Sequence, residues 1–125
     1  MPAIITDIGL QLFARRTNGE WSVPAYIGWG TGATPASSSS VALSTEASEA
    51  RTLATIQLLS LGATDDTFQA SGVIVANGSK TITEWGLFDA SVSGHLLAIE
   101  SIAPGQALTV GQMMTFIFRF QFIRG

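Results

Sequence analysis

Apolar and polar residues alternate most regularly in "MTFIFRFQFI", residues 114–123. Phe116, Phe118, Phe120 and Phe122 fall at every second position, so on a strand all four share one face, which predicts a core row. The other face carries Thr115, Ile117, Arg119, Gln121 and Ile123, half polar and suited to water or a neighbour. Similar runs precede it: "PAYIGWG" (24–30), "RTLATIQLLSL" (51–61), "TFQASGVIVA" (67–76), "SKTITEWGLFDA" (79–90) and "LLAIESIA" (96–103). Trp85, Leu87 and Phe88 are core positions of the fourth run. Turn signals separate the runs at Thr64-Asp65-Asp66, Asn77-Gly78, "SVSGH" (91–95) and Pro104-Gly105. Asn-Gly between apolar runs is the strongest short hairpin signal, because both residues tolerate positive φ; it predicts that residues 67–76 pair with the run that follows.

Residues 5–16 read as the one helix. Ile5, Ile8, Leu12 and Phe13 share a face, Thr6 or Asp7 supplies a cap, and Arg15 and Arg16 suit the last turn before Asn18-Gly19. A helix this short persists only if it packs on something else. The pattern as a whole predicts one domain over residues 1–125: an all-β antiparallel sandwich or jelly roll of about six or seven strands with one short N-terminal helix.

"TPASSSSVALSTEASEA", residues 34–50, breaks both periods and is rich in Ser and Ala. A structureless stretch of this length is uncommon in a compact domain and points to a binding arm. Val41 and Leu43 are its only sizeable apolar anchors, and ordering each backbone residue costs roughly 1–2 kcal/mol. The arm is therefore expected to be mobile in the free protein and ordered against a partner. Val41 and Leu43 would then sit in a neighbour's groove, with Glu46, Glu49 and Arg51 setting register.

Composition sharpens this picture. Hydrophobic residues make up 46% and charged residues 12%, about half the usual charged share, as expected of a chain with some of its surface covered. The net charge of −3 and the lack of a Lys/Arg cluster argue against nucleic acid. There is no cysteine, which excludes disulfides, Cys-ligated zinc and thiol catalysis. The opening "MPAIITDIGLQLFARR" has neither a basic leader nor a small-residue cleavage site, and no apolar run approaches the ~20 residues of a membrane span. A protein made in the cytoplasm, without a membrane partner, is expected.

Candidate chemistry is sparse. Glu84 and Asp89 are the nearest thing to a glycosidase pair, but five residues apart on a regular strand they point to opposite faces, whereas catalytic carboxylates converge on the substrate. Asp89 also opens a Ser/Gly turn whose backbone its carboxylate can bind. "GWGTGAT" (28–34) lacks the lysine of a phosphate-binding loop. His95 is the only histidine and has no second ligand at metal spacing and no nucleophilic serine partner. Trp21, Trp29 and Trp85 suit core packing better than a sugar platform. No catalytic residue, metal or cofactor is expected.

The order of segments "IITDIGLQLFA", "YIGWGTGATPA", "LSTEASEAR", "ITEWGLFDAS" with "GHLLAI", and "LTVGQMMTFIFRFQF" resembles a family of small tailed-bacteriophage virion proteins over nearly the whole chain. Its most specific piece is Thr-Glu-x-Gly-Leu-Phe-Asp, residues 83–89, with Trp85 at x. Similar segments occur in tail-fibre and collar proteins. Many members carry an acidic residue after the glycine that precedes the last strand; here Gly111 is followed by Gln112. The resemblance is closest to head decoration, or cement, proteins. It implies a structural protein on the capsid exterior, bound to the major capsid protein and to copies of itself, as a trimer before a dimer. A tail-fibre, collar or baseplate module is the alternative it leaves open.

Overall fold

The computed structural model describes residues 3–124. The fold is an all-β sandwich with one helix. A five-stranded antiparallel sheet has the order β1 (Ile4–Ile5), β7 (Leu96–Leu108), β6 (Lys80–Phe88), β2 (Tyr26–Gly30), β3 (Thr52–Leu53). Facing it is a three-stranded sheet in the order β4 (Thr55–Leu59), β5 (Thr67–Val75), β8 (Met113–Gln121). The helix α1 spans Asp7–Thr17.

Thr6 is the N-cap of α1: its hydroxyl accepts from Gly9 N–H at 2.9 Å and donates to the Leu96 carbonyl at 2.6 Å, fixing the helix to β7. A Cβ added at Gly9 would lie 2.2 Å from the Leu97 carbonyl oxygen, so only glycine lets the helix come this close. Leu12 enters the core, and Phe13 packs edge-on against Phe120 and Phe122 at 5.9 and 5.6 Å.

The main core lies between the sheets. Trp85 of β6 stacks obliquely on Phe116 and Phe118 of β8 at 4.4 and 4.0 Å, with Ile27, Trp29, Ala70, Ile74, Ile82, Leu87 and Leu97 around them. The expected four-phenylalanine row is only partly buried. Phe116 and Phe118 are in the core and Phe120 is half-buried, but Phe122 is 60% exposed. The reason is length: β8 ends at Gln121, so Phe122 overhangs the sheet, where its ring packs edge-on against Phe13.

Three expectations about connectivity change. Asn77-Gly78 is not a hairpin: β5 and β6 belong to different sheets, and neither residue has the positive φ of a type I′ turn, so the chain crosses between layers there. Residues 51–61 form two strands, not one. β3 edges the first sheet, Ala54 donates its N–H to the Ala25 carbonyl at 2.6 Å, and β4 then starts in the second sheet. Pro104-Gly105 is not a turn but lies inside β7, where the register against β6 jumps from Gln106 opposite Ile82 to Ser101 opposite Glu84, leaving residues 102–105 bulged. The β4–β5 turn at Asp65–Asp66 and the β6–β7 turn through Ser91–Gly94 fall where the sequence put them.

Candidate functional site

Strand β6 is buried without a break from Glu84 to its end at Phe88, because the five-stranded sheet is covered on both faces. One face meets the three-stranded sheet; the other meets the Ser-rich arm. On the arm side Phe88, Leu96 and Ile99 form a second core, and Leu43 completes it. Gly86 leaves the room: a Cβ there would meet Leu96 Cδ1 at 2.7 Å and Leu43 Cδ2 at 3.4 Å.

Glu84 holds the arm down. Its side chain is almost wholly buried, at 2% exposure, and its partners are Ser44 and Thr45 of the arm and Gly32 just before it. Oε2 accepts from Gly32 N–H at 3.1 Å and Thr45 N–H at 2.8 Å; Oε1 accepts from Ser44 N–H at 2.9 Å and the Ser44 hydroxyl at 3.1 Å. A buried carboxylate with four donors is well satisfied, and charge-assisted bonds of this kind are about twice as strong as neutral ones. Further ties run from Thr83 Oγ1 to the Gly32 carbonyl at 2.6 Å and from Ala36 N–H to Ser101 Oγ at 2.8 Å. Asp7 N–H donates to the Ser38 carbonyl at 2.7 Å, and Ala47 N–H to the Trp29 carbonyl at 3.0 Å.

The far end of the arm is fixed by charge. Arg51 makes a bidentate pair with Glu46 at 2.8 and 2.9 Å, donates to the carbonyls of Ala90 and Ser93 at 2.8 and 2.7 Å, and lies 3.4 Å over the Phe88 ring. Glu49 accepts from Lys80 Nζ, Trp29 Nε1 and Asn77 N–H. Burial opposes its ionisation, yet the donors from Lys80, Asn77 and Trp29 prevail and bring its pKa down to about 2.

These contacts correct the expected role of the arm. Residues 34–50 fold back on their own domain. Leu43 fills this chain's core, not a neighbour's groove, and Glu46, Glu49 and Arg51 fasten the arm internally. Of the five proposed contact residues only Val41, 63% exposed, offers an apolar side chain to a partner. The arm has few apolar groups to offset the cost of its ordering, and the hydrogen bonds that buried Glu84 accepts from it make up the difference.

The carboxylates of Glu84 and Asp89 go to separate networks. Asp89 accepts from His95 N–H at 2.6 Å and contacts His95 Nδ1 at 2.7 Å, closing the β6–β7 turn as its place before a Ser/Gly run predicts. The imidazole stacks face to face on Trp21 at 3.5 Å, and Arg15 lies over that indole at 4.8 Å. Trp29 and Trp85 are core residues. Among the described residues no group of three or more His, Asp and Glu is placed to hold a metal ion, and no helix is long and apolar enough to cross a membrane. No family model, curated protein or solved structure matches the chain.

Proposed function

We propose that this chain is a non-catalytic structural protein of a tailed-bacteriophage virion, a decoration protein that binds the major capsid protein from outside and clamps neighbouring capsomers. The observation that carries the reading is the use made of the Thr-Glu-x-Gly-Leu-Phe-Asp segment. Its glutamate serves to fasten a Ser-rich arm onto a rigid sheet, and its glycine makes room for that arm. A clamp needs a surface fixed in advance, since ordering a loose loop on binding would cost much of the contact energy.

Charge distribution supports the same reading. Most charged side chains are already engaged within the chain: Arg15 with Glu20, Arg51 with Glu46, Lys80 with Glu49, Asp89 with His95, Glu84 with the arm. Exposed charges beyond these pairs are few and scattered, among them Asp7, Asp65, Arg119 and Arg124, and most of the outward surface is Ser, Thr, Ala, Gln and apolar residues, including Val41 of the arm. Such a surface suits a broad neutral contact and not a phosphate backbone.

The test is to add the purified chain to capsids of the encoding phage assembled without it and to image them. Density over the outer lattice is expected, with occupancy lowered by Val41→Glu while the circular dichroism spectrum stays unchanged. Density confined to the tail would replace this reading with the tail-module one, and no density on either would overturn both.

A further inference from the structure

Four strands end the two sheets, and they are unequal. β1 and β3 have two residues each and β4 has five, but β8 has nine. β8 pairs with β5 through nine consecutive residues without a bulge, from Thr67 opposite Gln121 to Val75 opposite Met113, and its other side has no strand neighbour among the described residues. Natural proteins blunt such an edge with proline, lysine, a bulge or a cover. β8 has no proline or lysine. Its one charge, Arg119, leans away from the free edge to donate to Gln69 of β5 at 2.7 Å.

We propose that β8 is a self-association edge, pairing antiparallel with β8 of a second copy across a twofold axis at Ile117 to make one six-stranded sheet. Three observations choose a second copy. Length is the first: β8 on β8 matches nine residues with nine, whereas β8 on the only other edge of that sheet, β4, leaves four unmatched. Charge is the second. With Ile117 opposite Ile117, Arg119 of each copy faces Thr115 of the other, and no like charges meet.

Apolar complementarity is the third. Val110, Met113, Ile117, Phe122 and Ile123 are all exposed, Ile117 by 51% and Met113 by 58%. The same register sets the two Ile117 side chains together on the outer face. It brings Met113 diagonal to the other copy's Ile123, and Phe122 opposite the other copy's Gln112, near its Val110. Residues exposed one by one thereby gain apolar neighbours on both faces of the seam, Ile117, Met113 and Ile123 on the outer face and Phe122 and Val110 on the other, and a twofold contact of this kind is self-complementary and closed. A strand pair of this length runs about 30 Å, at the small end of stable interfaces, so the dimer should be reversible. The inference does not rest on the capsid reading, and it favours a dimer over the trimer that the family resemblance implies.

Sedimentation equilibrium of the full chain over a hundredfold concentration range tests it. The expected mass rises from 13.1 kDa toward twice that value. Ile117→Lys, on an exposed outward position, should weaken the dimer at least tenfold, with the thermal midpoint unchanged at dilutions where both proteins are monomeric. The chain has no native cysteine, so Ile117→Cys should form a disulfide-linked dimer under mild oxidation, while Val73→Cys, on the same face but one strand inward, should not. A monomer at every concentration, a trimer, or a dimer indifferent to Ile117→Lys would each overturn the proposal.

Discussion

Replacing Glu84 by Gln removes a charge and changes one acceptor into a donor while leaving the volume nearly constant. The glutamine oxygen can keep only one of the two donor pairs. If it stays with Gly32 and Thr45, the amide nitrogen faces Ser44; the serine hydroxyl can reverse and accept, but Ser44 N–H cannot. A buried donor left without an acceptor costs about 1–3 kcal/mol, and the bonds that remain lose their charge assistance. The expected destabilisation is about 2–4 kcal/mol. A domain of this length has an unfolding entropy near 0.26 kcal/mol/K, so the thermal midpoint should fall by about 8–15 °C. The arm lies at the surface, and it can escape part of this cost by detaching and letting water satisfy its amides. Hydrogen exchange separates the two routes: Gly32, Ser44 and Thr45 amides should exchange much faster in Glu84→Gln, with the β6 amides of Trp85 and Leu87 affected less. An unchanged midpoint with unchanged exchange at those three amides would refute the anchoring role of Glu84.

Other substitutions read other parts of the molecule. Phe118→Ala should cost about 3–5 kcal/mol in denaturant unfolding, and Phe122→Ala, at an exposed overhang, less than about 1 kcal/mol. Gly30→Ala should destabilise and expose the arm to limited proteolysis, because the new methyl would sit 2.4 Å from both Glu84 Oε2 and the Thr45 carbonyl oxygen. Acid should also loosen the arm. Glu49 has a folded-state pKa of about 2 against an ordinary 4.5, so its stabilisation is complete above about pH 4.5 and is lost as pH falls toward 2. Glu49→Gln should flatten that part of the stability curve, measured as unfolding midpoint against pH. Asp66, held low by the backbone N–H groups of Ala63 and Leu61, will leave a residual slope of the same sign.

The strands were legible because alternation survives wherever one face of a sheet is wet. "MTFIFRFQFI" and "TFQASGVIVA" carry that pattern, and both became strands of the three-stranded sheet. β6 reads differently: "TEWGLFD" carries the unbroken apolar run Trp85–Phe88 since it is covered on both faces, and the cover is a Ser-rich stretch with almost no apolar pattern of its own. Nothing local in "ASSSSVALST" says that it will lie on β6. The signal that could have found the contact is a lone carboxylate inside an apolar strand, which must have donors from somewhere. The sheet crossings at Ala54 and at Asn77-Gly78 were hidden for another reason, as period two records which way a side chain points but not which sheet receives it.

The crossing at Ala54 has a mechanical consequence. Sheets pack about 10 Å apart, yet two residue steps, from Leu53 to Thr55, reach only about 7 Å. The layers must converge at that corner, which acts as a spine of covalent backbone. Two further short tethers, residues 76–79 and 109–112, join the layers elsewhere. A pull directed across the sandwich is therefore borne by peptide bonds almost from the first ångström, before side-chain contacts have separated far. Under such a load the layers should stay together, whereas a pull on one end of β8, directed across the strand, would peel it from β5 one residue pair after another.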